Sequence, residues 1–159
     1  MAMLRLLMTL AVCLWTGAVL AIAFIAAPAA FAALPDRALA GSVAALMFRT
    51  EAYGSVGLAA IAWLTLRPLT REAPLAQTWP LWVALLAVLM ATVMGYFGLI
   101  GALEQAKAQY GSASAQYLRL HGISMALYAV KGLGWLALSA LLLQRLRRSG
   151  ADITDASKA

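Results

Sequence analysis

The chain has 159 residues, of which 64% are hydrophobic and 11% are charged, whereas roughly a quarter of the residues of a soluble domain are charged. This composition excludes an ordinary soluble domain and indicates an integral membrane protein. The net charge of +6 does not indicate a nucleic-acid partner, because the basic residues flank apolar runs as membrane insertion requires. The expected partner is therefore the lipid bilayer.

The first apolar run covers residues 6–33 and follows Arg5. A basic start and the small-residue site around Ala30 are also typical of a cleaved signal peptide. The run is about 28 residues long, against roughly 7 to 15 for the apolar part of a signal peptide. We therefore predict a retained first span, which Pro28 kinks or ends near the far interface.

A short helix and a second span are predicted next. Asp36 is suited to cap the start of a helix, and an apolar face continues from there to Phe48. We predict that this short helix lies at the membrane interface. The second span is predicted over 50–66, with Glu51 at the outer boundary and Pro68 just beyond its end.

The third and fourth spans are predicted over 81–103 and 117–144. The third span carries small residues suited to close helix packing, namely Ala84, Ala87, Ala91, Gly95 and Gly98. Glu104 follows this span at the outer boundary. The polar residues 149–159 are predicted to be a disordered tail, which leaves 1–148 as a single transmembrane domain.

The predicted fold class is all-α: a polytopic membrane protein with an antiparallel four-helix transmembrane bundle and a short interfacial helix between spans one and two. Basic residues are more numerous on the side of the two termini than on the other side. The positive-inside rule then predicts a bacterial cytoplasmic (inner) membrane protein with both termini in the cytoplasm. On this topology, Trp15 and Trp135 lie at similar depth.

A line of polar and aromatic residues runs along the last span. At 100° per residue these side chains fall within a sector of roughly 80°; they are His121, Ser124, Tyr128, Lys131, Trp135 and Ser139. Lys131 is roughly 18 to 21 Å from either charged end of the span, which is too far for its amine to reach the interface. Lys131 is therefore expected to face protein or a water-filled cavity.

A cluster of polar side chains is predicted near the middle of the membrane, formed by Lys131, Tyr128, Thr92 and Tyr96. Two interpretations of Lys131 are open: a proton or ligand site, or a structural lysine that donates to carbonyls and hydroxyls. Because both Glu51 and Glu104 are assigned to the outer boundary, Lys131 is expected to lack an acidic partner and to face the first or third span. Lys131→Met is then expected to fold, with unchanged or raised stability.

His121 is the single histidine, and it lies near the outer end of the last span. It is suited either to metal or haem binding and proton transfer, or to a hydrogen-bonded position at the interface. One histidine cannot form a bis-histidine haem site, and a three-ligand metal site would need Glu51 and Glu104 as well. We therefore predict no cofactor, no metal site and no catalytic residue.

Several short motifs are similar to those of one family of membrane proteins. They are Leu14-Trp15-Thr16-Gly17, Phe24 to Phe31 with its Pro28, and Leu120-His121-Gly122-Ile123-Ser124. The chain resembles the transmembrane protein 205-like family (domain of unknown function 4149) over most of residues 6–145. The resemblance implies a small four-helix integral membrane protein without an assigned enzyme activity. Where family members often carry an amide after the His-x-x-Ser motif, this chain has Tyr128 and Lys131.

Two function classes follow. The first is a non-enzymatic membrane protein that is an accessory subunit or handles a small solute, working as a homo-oligomer or within a membrane complex. The alternative is a haem- or metal-linked redox protein, because the architecture also resembles copper-resistance D-like proteins and small protoporphyrinogen oxidases. Those proteins usually contain more histidines than this chain, so the non-enzymatic class is favoured and the question of enzyme activity stays open.

Overall fold

The computed structural model describes residues 2–71 and 73–156, and this part of the chain is helical throughout apart from short turns. In chain order the helices are α1 (Ala2–Ala21), α2 (Ala27–Ala33), α3 (Arg37–Thr70), α4 (Leu75–Thr92), α5 (Ile100–Tyr110) and α6 (Ala115–Ala156). Two π-helical segments connect neighbouring helices: Ile22–Ala26 joins α1 to α2, and Val93–Phe97 follows α4. The fold is therefore all-α, as predicted.

The first long helical segment continues past Pro28. Proline lacks a backbone N–H, and its ring clashes with the carbonyl four residues earlier. The widened π-helical turn lies directly before this position, where the Ala27 N–H bonds to the Ile22 carbonyl. A wider turn of this kind accommodates the proline, so the helix continues to Ala33 and then ends at the extended Leu34.

α3 is one continuous helix of 34 residues. The Asp36 side chain caps it by accepting a hydrogen bond of 2.7 Å from the Ala38 N–H, as predicted. The predicted division into an interfacial helix and a second span over 50–66 is not seen, because the chain has no helix-breaking residue between Phe48 and Ala52. Pro68 does not stop the helix either, since it lies in the last turn of α3, which ends at Thr70.

The second half of the chain contains longer helices than the sequence predicted. α5 continues past the predicted end of the third span and ends before Gly111, whose φ of +80° is readily accessible only to glycine. α6 begins after Ser114, whose hydroxyl oxygen accepts a hydrogen bond of 3.2 Å from the Tyr117 N–H. It continues to Ala156, into the segment predicted as a disordered tail. The rest of that predicted tail, 157–159, lies outside the described residues.

α6 occupies the centre of the fold and packs against both α1 and α4. Two glycines allow close contact between α6 and the preceding helical segments: a Cβ on Gly134 of α6 would lie 2.8 Å from Val88 Cγ2 of α4, and one on Gly95 of the π-helical segment would lie 2.9 Å from Leu127 Cβ of α6. Part of the predicted small-residue stripe therefore does permit close approach of helices. Large apolar side chains fill the core between the helices, among them Val12, Val19, Leu66, Leu81, Leu85, Val88, Trp135 and Leu138.

Three helical stretches are long and apolar enough to cross a membrane: Met3–Ala33, Leu75–Tyr110 and Ala115–Arg148. Many large apolar side chains on them point outward, including Leu14 and Phe24, which suits a hydrocarbon solvent. α3 does not belong to this group, because charged residues lower its hydropathy. The three apolar stretches identify a membrane-spanning protein.

Candidate functional site

A group of polar side chains lies in the interior where α1, α3 and α6 meet. We call Trp15, Glu51, Ser55, Lys131 and Trp135 the buried polar cluster. Lys131 is 3% exposed and Glu51 is 1% exposed, and their side chains form an ion pair and a hydrogen bond between Lys131 Nζ and Glu51 Oε2. Two opposite charges in contact largely cancel, which permits both to lie in an apolar interior.

The position of Glu51 corrects the sequence prediction. From the sequence, Glu51 is expected at the outer boundary, because charged residues flank the start of the predicted second span. In the continuous α3, it lies about 21 Å from the helix start at Arg37, and Lys131 lies about 24 Å from the start of α6. Lys131 therefore has an acidic partner at its own depth, and its amine faces α3, not the first or third span.

Ser55 connects the ion pair to two indole rings. Its hydroxyl donates to Glu51 Oε1 at 2.5 Å, and its oxygen accepts from Trp15 Nε1 at 2.9 Å and from Trp135 Nε1 at 3.3 Å. Both carboxylate oxygens of Glu51 thus have a donor. The shared serine also places the two indoles at one depth, which confirms that prediction.

The register of these contacts gives the relative direction of α3 and α6. Glu51 bonds to Lys131, and Ser55, one turn later, bonds to Trp135, again one turn later. Both helices therefore run in the same direction at this contact. The arrangement follows from two polar residues spaced four apart on each helix, because residues i and i+4 lie on the same face.

Gly54 leaves room for the Trp15 ring. A Cβ at residue 54 would lie 2.2 Å from Trp15 Cη2 and 2.4 Å from Trp15 Cζ2, which is far inside van der Waals contact. The indole thus lies directly against the backbone of α3, where its N–H can reach Ser55. Sequence reasoning missed this role of Gly54, because nothing local indicates which helix Trp15 packs against.

Tyr128 extends the cluster toward α1. The Lys131 amine lies 4.0 Å from the centroid of the Tyr128 ring, within the range of a cation–π interaction. The Tyr128 hydroxyl donates to the Val19 carbonyl at 2.9 Å, and Phe48 packs its ring edge-on at 5.1 Å between centroids. Tyr128 thus lies beside Lys131 and links it to α1.

A second polar link joins α1 to α6 nearby. The hydroxyls of Thr16 and Ser139 are 2.9 Å apart, and the Thr16 hydroxyl also bonds to the Val12 carbonyl at 2.8 Å. Both residues are buried. Ser139 belonged to the predicted polar line on the last span, whereas Thr16 was not singled out from the sequence.

Other predicted site residues do not join the cluster. Thr92 is buried, but its hydroxyl donates to the Val88 carbonyl of its own helix at 2.7 Å. Tyr96 is half-buried and makes an edge-on contact with Tyr53, at 6.5 Å between centroids. Of the four predicted members of the central cluster, the described contacts connect only Lys131 and Tyr128.

The remaining predicted site residues, Ser124, His121 and Glu104, lie toward the start of α6 or just before it. The Ser124 hydroxyl donates to the Gly95 carbonyl at 3.4 Å. His121 is exposed and stacks on Tyr117, with ring centroids 5.8 Å apart, and Glu104 is exposed as well. A metal site formed by His121 with both glutamates is not assembled, because Glu51 is paired with Lys131 in the interior.

Every buried polar side chain in the described part of the chain has a hydrogen-bond partner. In the buried polar cluster, these partners come from three different helices. A fully satisfied polar network of this kind fixes the helices in one arrangement, because any displacement would leave a buried charge or donor without a partner.

The fold and the cluster define an all-helical membrane protein with an internal ion pair. The sequence model of the family described as "Domain of unknown function (DUF4149)" matches residues 10–112, and the chain belongs to this family. No curated protein and no solved structure matches the chain. The matched range includes Trp15, Glu51 and Ser55 but ends before α6, which supplies Lys131 and Trp135.

Proposed function

We propose that this chain is a non-enzymatic integral membrane protein with four spans, which acts as a homo-oligomer or as an accessory subunit of a membrane complex. It would belong to a bacterial inner membrane, with both termini in the cytoplasm, and it would be related to transmembrane protein 205. One observation carries the proposal: the polar side chains of the buried polar cluster are hydrogen-bonded to one another. The cluster holds helices together, and each of its buried polar atoms has a hydrogen-bond partner within the protein.

The fourth span in this proposal is α3, which completes a four-helix bundle. Its 34 residues are about 51 Å long, which is more than the roughly 30 Å of a hydrocarbon core. Its interior acidic residue, Glu51, is neutralised by Lys131, so this contribution to the lower hydropathy of α3 is not exposed to lipid. An internal ion pair therefore explains how a helix of lower hydropathy can cross the membrane.

Orientation rests on the arrangement of basic residues. The end of the bundle with both termini carries Arg5, Arg67, Arg71, Arg145, Arg147 and Arg148, and the opposite end carries Arg37, Lys107 and Arg119. Because positively charged loops stay in the cytoplasm, the first end is assigned to the cytoplasmic side.

Cysteine labelling tests the four-span arrangement. In a Cys13→Ser background, Pro35→Cys and Ser112→Cys are expected to react with a membrane-impermeant maleimide in intact spheroplasts. Ala73→Cys is expected to react only after permeabilisation. If α3 does not cross the membrane, positions 35 and 73 lie on the same side and label together, which would contradict the proposal.

A flux assay tests the closed cluster. The purified protein, reconstituted in liposomes with an internal pH-sensitive dye, is expected to conduct protons no faster than protein-free liposomes under an imposed gradient. The Glu51→Gln protein is the matched control. A flux present in the wild type and lost in Glu51→Gln would instead assign the cluster to the handling of protons or a small solute.

A haem Soret band lost in His121→Ala would support the redox alternative.

A further inference from the structure

A cavity of about 520 Å³ opens at the end of the molecule where the first residues of α1, the turn between α3 and α4, and the last turns of α6 meet. This volume is within the roughly 300–1,000 Å³ typical of small-molecule sites. The buried polar cluster does not contribute to its lining. The cavity is therefore a separate feature of the protein.

Three arginines line this cavity: Arg5 from α1, and Arg145 and Arg148 from α6. The Arg145 guanidinium is half-buried and donates to the Gln77 carbonyl at 2.5 Å, which fixes it in place. Arg5 and Arg148 contribute two further positive charges to the lining of the same cavity. Converging guanidinium groups repel one another, and an anion between them would relieve that repulsion.

The rest of the lining is mixed in a way that fits a lipid. The Thr9 and Thr70 side chains line the cavity near the arginines, and apolar side chains line it elsewhere, including Met8, Leu66, Leu141 and Leu142. An anionic phospholipid has the same two parts, a phosphate group and acyl chains. A small hydrophilic phosphate would use the arginines but would gain nothing from the apolar side chains.

We propose that this arginine cavity binds the phosphate group of an anionic phospholipid, with the guanidinium groups of Arg5, Arg145 and Arg148 on the headgroup. The shared chemistry is recognition of a phosphate by arginine, which forms paired, charge-assisted hydrogen bonds to its oxygens. The apolar lining favours the lipid over a soluble phosphate compound as the source of that group.

The test is a thermal-unfolding titration of the detergent-purified full chain with short-chain phosphatidylglycerol. Phosphatidylcholine of equal chain length and inorganic phosphate at equal ionic strength are the two comparison arms. Phosphatidylglycerol is expected to raise the unfolding midpoint in a saturable manner, and to do so more than phosphatidylcholine. If phosphatidylglycerol raises the midpoint more than inorganic phosphate does, the cavity binds lipid. If both raise it equally, the cavity binds a soluble phosphate compound, which would contradict a lipid site.

Matched variants locate the binding site. Arg145→Gln and, separately, Arg5→Gln are expected to raise the lipid concentration at half-saturation about five-fold, since one basic residue near an anionic headgroup contributes about a kcal/mol. Arg147→Gln removes an equal charge from a neighbouring exposed position of α6 outside the cavity, and is expected to change it less than about two-fold. Equal effects of Arg145→Gln and Arg147→Gln, or no saturable effect of any phosphate group, would overturn the proposal.

Discussion

The buried polar cluster and the arginine cavity both contain charged side chains, but they handle charge in opposite ways. In the cluster, Lys131 is enclosed and its counter-charge, Glu51, comes from another helix of the same chain. In the cavity, Arg5, Arg145 and Arg148 share an open space. A charge in the middle of this protein therefore joins two helices through an ion pair, whereas the charges at its end are available to an anion from outside.

The two regions should therefore respond differently to loss of one charge. Breaking the enclosed pair leaves an uncompensated charge in an apolar interior, while removing one cavity arginine relieves repulsion between like charges. Three substitutions in or beside the buried polar cluster, taken from the largest to the smallest expected effect, test how much its charge and its packing each contribute to stability.

The largest effect is expected for Lys131→Met. Loss of the amine leaves the Glu51 carboxylate buried with Ser55 as its remaining hydrogen-bond donor, so the free energy of unfolding should fall by about 3–5 kcal/mol. Unfolding in detergent mixtures, followed by tryptophan fluorescence, measures the change. The sequence predicts instead that Lys131→Met leaves stability unchanged or raises it. That prediction assumes a lysine without an acidic partner, and this assumption was wrong.

Lys107→Met is the control for this experiment, because Lys107 is an exposed lysine on α5. It should change the free energy of unfolding by less than about 0.5 kcal/mol. If both substitutions lower the free energy of unfolding by the same small amount, the enclosed Lys131 contributes no more to stability than an exposed lysine, which would contradict this expectation.

An intermediate effect is expected for Gly54→Ala. The new methyl group would overlap the Trp15 ring, so the indole must move away from Ser55 at a cost of about 1–3 kcal/mol. Gly57→Ala on the same helix is the matched control, since nothing lies within 4 Å of a Cβ there. Thermal unfolding compares the two. A Gly54→Ala protein as stable as Gly57→Ala would show that close contact between Trp15 and α3 is not required.

The smallest effect is expected for Trp135→Phe. The substitution removes one hydrogen bond to Ser55 and leaves a small gap in the core, but the donor from Trp15 and both charges stay in place, so the loss should be about 1–2 kcal/mol. Trp79→Phe, at a position 54% exposed, is the control and should have less effect. Unfolding curves of both variants measure the difference. A loss of stability as large as that of Lys131→Met would mean that the Trp135 indole, not the ion pair, contributes most to holding the helices together.

Much of the architecture could be predicted from the sequence because long apolar runs and helix caps are local signals. The same applies to the depth of Trp15 and Trp135, which follows from counting residues along a helix. The enclosed position of Lys131 was also predictable, since a lysine far from both interfaces needs an interior partner.

The partner of Lys131 was missed for a physical reason. Two charged residues close together, Arg49 and Glu51, indicate a membrane boundary in the sequence, although only Arg49 is exposed and Glu51 is enclosed. A charge that is neutralised across helices looks the same in a single sequence as a charge in the headgroup region. The absence of a helix breaker between Phe48 and Ala52 was the available signal that α3 continues, and it would have placed Glu51 at the depth of Lys131.

The contacts of Thr92 and Tyr96 were beyond prediction for a different reason. Their spacing of four residues predicts that they share one face of a regular α-helix. The π-helical segment Val93–Phe97 begins between them and widens the turn, which changes the direction of Tyr96 relative to Thr92. Depth along a helix can be counted from sequence, but rotation about its axis depends on such local irregularities.

A double-mutant cycle on Glu51 and Lys131 tests the central claim most directly. The free energy of unfolding is measured for the wild type, Glu51→Gln, Lys131→Met and the double variant in one detergent. We expect each single substitution to cost about 3–5 kcal/mol and the double variant to lie within about 1 kcal/mol of the wild type or above it, because it contains no buried charge. Additive losses, with the double variant the least stable of the four, would contradict an internal ion pair that fastens α3 to α6.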